Sequence, residues 1–256
     1  MKRKTPELKG SLELSNLSAT LKYKHDFKKN NPTYFDPDGL LIFCGPQGSG
    51  KTLSAVQYCC KVLEKYPRCK FVTNVEIKNL PPDTEVIEYN GIESLSNVTN
   101  GVEGVLYLID EIHLEFNSLE SKSISIEEMT EFAQQRKQRK HIVGTSQVFM
   151  RMAKPLREQI KRVVICENYF GLVQHNIEID GTTATEKDGE LNAEIIGNYY
   201  WFHTPALYGC YDTYAKMHRY KQEWQGRALA PSMLPYAPDS PNVVRKRGIG
   251  GGAHRV

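Results

Sequence analysis

The chain has 256 residues, of which 40% are hydrophobic and 25% charged, with a formal net charge of +3. That composition suits one soluble α/β domain with tails, and a charge so close to balance says little about partners by itself. No apolar run approaches the ~18–20 residues that cross a bilayer, the basic N-terminus has no apolar core of a signal peptide, and Cys44, Cys59, Cys60, Cys69, Cys166 and Cys210 show neither a Cys-x-x-Cys spacing nor a disulfide framework, which argues against membrane-spanning and disulfide-stapled secreted classes.

Residues 1–36 read as a basic N-terminal arm. Lys2, Arg3, Lys4, Lys9, Lys22, Lys24, Lys28 and Lys29 outnumber Glu7, Glu13 and Asp26, and Leu12, Leu14 and Leu17 give only a weak apolar pattern. Basic ends of this kind either touch nucleic-acid phosphates or are simply solvated.

Gly39-Leu40-Leu41-Ile42-Phe43-Cys44 is an apolar run of buried-strand length, and Leu53 to Leu63 reads as a helix. Between them lies Gly45-Pro46-Gln47-Gly48-Ser49-Gly50-Lys51-Thr52, which fits the P-loop (Walker A) pattern G-x-x-x-x-G-K-[ST] at every fixed position. Strand, glycine loop and helix form the context that this motif needs. Its glycines let successive backbone N–H groups converge on phosphate oxygens, and the helix N-terminus adds its positive dipole end. Lys51 is then placed to reach the β- and γ-phosphates of ATP, and Thr52 to hold Mg²⁺.

Lys70 to Ile77 is the next strand candidate, Pro81-Pro82 marks a loop, Glu85 to Tyr89 a short strand and Ile92 to Val98 a short helix. Gly104-Val105-Leu106-Tyr107-Leu108-Ile109-Asp110-Glu111 follows, a continuous apolar strand that ends in two acids (Walker B). A buried parallel strand looks like this, and α/β sheets keep their ligands at the carboxyl ends of such strands. Asp110 is the candidate Mg²⁺ ligand, and Glu111 the group that polarises an attacking water.

The segment from Ser123 to Lys140 reads as a helix with an apolar stripe, Ile126, Met129, Phe132 and Ala133, that turns basic at Arg136, Lys137 and Lys140. Such an end is either snorkelling at a helix terminus or an interface that contacts phosphates. His141 to Gln147 is a third strand, with Gln147 placed to sense a γ-phosphate. Leu156 to Ile160 reads as one helical turn and Lys161 to Cys166 as a strand. Gly171 to Ile179 and Ile195 to His203 suit a hairpin added at the sheet edge, with the polar, turn-like Gly181 to Gly189 between them. The chain divides into the arm, a P-loop ATPase domain over residues 37–228, and a disordered basic tail over 229–256 carrying Arg245-Lys246-Arg247. The Tyr-rich stretch Tyr199 to Tyr220 suits core packing or partner contact better than base stacking.

The acidic strand, the run Gln134-Gln135-Arg136-Lys137-Gln138-Arg139-Lys140-His141, and a strand ending Thr145-Ser146-Gln147 together resemble the Zot-like ATPases of the FtsK–HerA class of P-loop motors. Leu156-Arg157-Glu158-Gln159-Ile160-Lys161-Arg162 matches loosely the family's arginine-bearing segment, and the resemblance covers residues 39–170. It implies a mainly parallel sheet sandwiched by helices, a ring, most simply a hexamer, with ATP at subunit interfaces, and an arginine acting across the interface, for which Arg157 and Arg162 come first and Arg136 and Arg139 second. Filamentous-phage members place the P-loop near the N-terminus and carry a membrane span after the ATPase domain. Neither feature is read here, so a motor that packages a viral genome into a capsid fits better than extrusion at a membrane. Its partners would be DNA, contacted through backbone phosphates, and a capsid or assembly-complex protein. Its place would be the host cytoplasm, the virion, or the periphery of the inner membrane. A Zot-like assembly ATPase anchored by another chain, a nucleotide switch with little turnover, and a small-molecule kinase are the alternatives; the poised Glu111 speaks against the last two.

Overall fold

The computed structural model describes residues 12–36, 38–116, 126–187 and 190–211. The expected tail over 229–256, the basic residues before position 12, the proposed helix start at Ser123 to Ser125, and Tyr214 and Tyr220 lie outside them.

The elements in chain order are α1 (Leu14–Asn30), β1 (Leu40–Cys44), α2 (Lys51–Lys65), β2 (Lys70–Thr73), β3 (Val86–Glu88), α3 (Glu93–Asn97), β4 (Val105–Ile109), α4 (Ile126–Gln134), β5 (Lys140–Ser146), α5 (Lys154–Arg157), β6 (Ile160–Tyr169), β7 (Val173–Asp180), β8 (Thr185–Lys187), β9 (Glu190–Asn192), β10 (Ile195–Phe202) and α6 (Pro205–Cys210). Eight strands form one sheet in the order β10-β7-β6-β1-β5-β4-β2-β3. The six strands from β6 to β3 run parallel, and β7 and β10 are added antiparallel at one edge. This is the doubly wound sheet expected from the alternation of strand and helix, with the edge hairpin expected from the β-branched and aromatic content of Gly171 to Ile179 and Ile195 to His203. The polar stretch between those strands carries a small two-stranded ribbon, β8–β9.

Strand alternation sorts the core into two layers. Leu41, Phe43, Leu106, Leu108 and Val143 meet Ala55, Val56, Cys59 and Leu63 of α2 on one face. Leu40, Ile42, Val105, Tyr107, Ile109 and Ile142 meet Phe116, Phe132, Phe149 and Leu156 on the other. β1 and β4 are buried at every position, which is why both read as unbroken apolar runs.

The arm carries α1, a 17-residue helix none of whose residues is buried. The chain then enters the core at Phe35, whose ring lies against Gly104 and stacks edge-on with Tyr66 at 5.1 Å. The helix before β5, read from sequence as running to Lys140, stops at Gln134. Arg139 takes a left-handed φ of 55°, which a helix interior excludes, and Lys140 opens β5 opposite Val105. Lys140 is therefore no phosphate contact. It is buried, donates from Nζ to Leu95 O and lies 3.7 Å from Glu131. Arg136 and Lys137 stay exposed in the turn.

Candidate nucleotide site

The site sits where β1, β4 and β5, three adjacent parallel strands, reach their carboxyl ends. β1 runs into the loop Gly45 to Gly50, and Lys51 opens α2. Gly48 and Gly50 take φ values of +82° and +76°, the left-handed region that glycine enters without cost. The loop is tied to β5 by Gly45 N–H, which donates to Ser146 O at 3.2 Å. Gln147, the next residue, is half-buried beside the loop.

The acids at the end of β4 are held from several elements. Asp110 Oδ1 accepts from Thr52 Oγ1 at 2.9 Å and from Thr145 Oγ1 at 2.6 Å. The Asp110 main chain is bracketed by Asn74, which accepts from its N–H at 2.8 Å and donates to its carbonyl at 3.0 Å. Glu111 then turns sharply, at φ 56°, with its N–H donated to Thr145 Oγ1 at 2.9 Å. Its Oε1 lies 3.5 Å from Lys51 Nζ and its Oε2 3.4 Å from His113 Nε2. Glu111 Oε2 is buried and has no hydrogen bond among the described residues. Burial holds the His113 imidazole below its ordinary value despite the nearby Glu111 carboxylate, so the ring beside that carboxylate is neutral near pH 7.

These residues fit a magnesium nucleotide. Thr52 and Asp110 offer two oxygens, already 2.9 Å apart, for a hard cation. The loop N–H groups and Lys51 offer the phosphate cradle. The structure thus brings together Gly45, Pro46, Gln47, Gly48, Ser49, Gly50, Lys51, Thr52, Asp110, Glu111 and Gln147.

The arginines are elsewhere. Arg162 lies in the amino-terminal part of β6, opposite Leu41, and its guanidinium is ion-paired with Asp38 at 2.5 Å and Glu178 at 2.7 Å. Arg157 on α5 is half-buried, with Nη1 2.8 Å from Met150 Sδ and its guanidinium carbon 6.0 Å from the Phe149 ring centre. Arg139 covers the Tyr34 ring at 3.6 Å and donates to Phe35 O at 3.0 Å.

Sequence reasoning missed Thr145, Asn74 and Gln174. Gln174 on β7 is fully buried and donates to Ser49 O of the loop at 2.8 Å. Its signal is Val173-Gln174-His175-Asn176-Ile177, three adjacent polar residues inside a strand, where burial on both faces demands polar partners.

The family model of zonular occludens toxin (Zot) matches residues 39–218. The N-terminal domain of zonular occludens toxin from Neisseria meningitidis superposes with a TM-score of 0.50 at 16% identity, covering 68% of this chain and 98% of that one, a likeness of fold. Two structures of the genome packaging NTPase B204 also align, each with a TM-score of 0.45, 11% identity and 62% of this chain covered. One is from Sulfolobus turreted icosahedral virus 2 in complex with ATP-gammaS (97% of that chain) and one from Sulfolobus turreted icosahedral virus (98%). No curated protein matches the sequence. With the P-loop, the paired acids and a family match over most of its length, the chain is a P-loop NTPase that belongs to the zonular occludens toxin family.

Proposed function

We propose that this protein is an ATP-hydrolysing motor that moves nucleic acid, and that its task is to package a viral genome. The observation that carries the reading is the Lys51–Glu111 approach at 3.5 Å beside the Thr52–Asp110 pair. A phosphate-binding lysine, a magnesium pair and a carboxylate with one buried oxygen unsatisfied suit water attack on a γ-phosphate. Thr52 and Asp110 would hold Mg²⁺, which would supply positive charge against the phosphates. Lys51 moves from Glu111 to the phosphates, and the freed Glu111 accepts a proton from the attacking water. Gln147, beside the loop, orients that water or the γ-phosphate. A pure switch has no use for such a base.

Work on nucleic acid rests on the Zot family and on charge. Lys22, Lys24, Lys28 and Lys29 of α1 and Arg136 and Lys137 after α4 are exposed cations, suited to phosphates and therefore to binding that weakens with salt. A ring, most simply a hexamer, would let an arginine of one subunit reach its neighbour's γ-phosphate. Arg157 and Arg162 would first have to leave their present partners. The partners proposed are DNA and a capsid or assembly-complex protein, in the host cytoplasm or the virion.

The family match favours a second reading, phage assembly at the inner membrane through a partner chain. No described helix is long and apolar enough to cross a membrane. ATP hydrolysis by wild type and Glu111→Gln, with and without double-stranded DNA and with light scattering to follow assembly, separates the readings. DNA-stimulated turnover in a ring, lost in Glu111→Gln with ATP binding intact, is the expected result. Turnover that appears only with host membranes supports the second reading, and ATP binding with no turnover under any condition removes the motor.

A further inference from the structure

We infer that Gln174, on the antiparallel strand added outside the P-loop sheet, is a positioning residue that sets the loop in its phosphate-binding shape before nucleotide arrives. The inference rests on the nucleotide site proposed above. β6 runs parallel to β1 and β7 returns against it, so the first residues of β7 lie beside the loop that leaves β1. There the Gln174 amide spans two elements, and its Nε2 donates to Ser49 O at 2.8 Å. Oε1 lies 3.3 Å from His203 Nε2. Nδ1 of the same ring lies 2.5 Å from the Tyr208 hydroxyl, which donates to Gly171 O at 2.7 Å. Turning the amide over would set Oε1 against Ser49 O and lose that bond.

The consequence for the loop follows from the planar peptide. In a trans unit the C=O and N–H point in opposite directions. Fixing Ser49 O on Gln174 points the N–H of the same unit, that of Gly50, away from β7, to the side where phosphate binds. Gly50 also caps α2 at φ 76°, and a Cβ there would lie 2.1 Å from Gln174 Oε1. Gln174 thus backs the loop at the point where the helix dipole begins. A loop already in its bound shape has less ordering to complete on binding. Because the same donor serves nucleoside di- and triphosphate alike, its loss weakens binding of both, and leaves the chemistry at Glu111 alone.

The test uses the whole chain with Gln174→Leu, which keeps size and removes the donor, and His203→Ala, which leaves the amide present but unheld at a partly exposed position. ADP and a non-hydrolysable ATP analogue are titrated by calorimetry, steady-state hydrolysis is followed, and amide hydrogen exchange is read over residues 45–51. Gln174→Leu is expected to weaken both nucleotides by roughly tenfold, to raise KM in proportion with kcat within about twofold, and to lose protection in the loop but not in β1 or β4. His203→Ala should change the same readouts in the same direction by less. Nucleotide affinity and loop exchange unchanged in His203→Ala, together with either unchanged affinity or exchange raised equally through β1 and β4 in Gln174→Leu, would overturn it. A wild-type chain that binds neither nucleotide would remove the parent reading instead.

Discussion

Thr145 Oγ1 accepts the main-chain N–H of Glu111 at 2.9 Å and donates its own proton to Asp110 Oδ1 at 2.6 Å. One hydroxyl on β5 therefore fixes both acids at the end of β4. It also explains how Glu111 keeps a left-handed φ of 56°, a conformation that costs a non-glycine residue on the order of 1–3 kcal/mol unless its surroundings hold it.

Thr145→Val keeps the shape of the side chain and removes both bonds. Hydrolysis should fall by roughly 10²-fold, as two hydrogen bonds to acidic or strained groups are lost, while KM for ATP stays within a few-fold. Steady-state kinetics with a binding titration checks this, and an unchanged kcat would show that Glu111 is held by other means.

Gly50→Ala forces a Cβ to within 2.1 Å of Gln174 Oε1 at a φ of +76°. The backbone strain alone is worth about 1–3 kcal/mol. Urea unfolding should show a loss of at least that order, and a nucleotide titration should show binding lost with it.

Burial pushes the His141 imidazole from 6.5 down to about 4. The neutral ring is held at both ends, with Nδ1–H donating to Gly39 O at 2.6 Å and Nε2 accepting from the Tyr58 hydroxyl at 2.9 Å. The unfolded chain takes up this proton below pH 6.5, whereas the native chain refuses it until about pH 4. The stabilisation is complete above the unfolded value and is lost as pH falls through this window, by about 3 kcal/mol. Burial also depresses His113 and His203, so the measurement is a difference. The urea midpoint of His141→Gln should fall less steeply between pH 6.5 and pH 4 than that of wild type. Parallel curves would remove His141 as the cause.

Phe35→Ala empties the place against Gly104 and Tyr66. A buried Phe cut to Ala costs roughly 3–5 kcal/mol. Phe35 belongs to the core layer that α2 covers, away from the acids, so thermal unfolding should move down by many degrees while KM for ATP at low temperature changes little.

The placing of the P-loop and of Asp110-Glu111 at the carboxyl ends of neighbouring strands was legible because short stretches carry it, a glycine spacing in one case and an apolar run ending in acids in the other. The edge hairpin was legible from its β-branched and aromatic residues. What stayed hidden depends on partners far along the chain. Thr145 meets Asp110 across 35 residues and Gln174 meets Ser49 across 125; no local pattern marks Thr145, and the polar run around Gln174 marks a buried polar strand without naming its partner. The helix before β5 was drawn too long because Arg136 to Lys140 are good helix formers, whereas the pairing of Lys140 with Val105 ends it. α1 was read as an arm because a helix with no buried residue leaves no apolar stripe to find.

Among the described residues, the aromatic and hydrogen-bond contacts that tie that helix to the domain gather at its carboxyl end. Tyr34 meets Phe27 edge-on at 4.8 Å and lies under Arg139, and Phe35 N–H donates to Val102 O at 2.9 Å. At ~1.5 Å per residue its 17 residues span roughly 25 Å, against about 34 Å across eight strands spaced ~4.8 Å apart. A rod anchored near β4 is thus about three-quarters as long as its own sheet is wide, and it carries Lys22, Lys24, Lys28 and Lys29 in its carboxyl-terminal half, next to the anchored end.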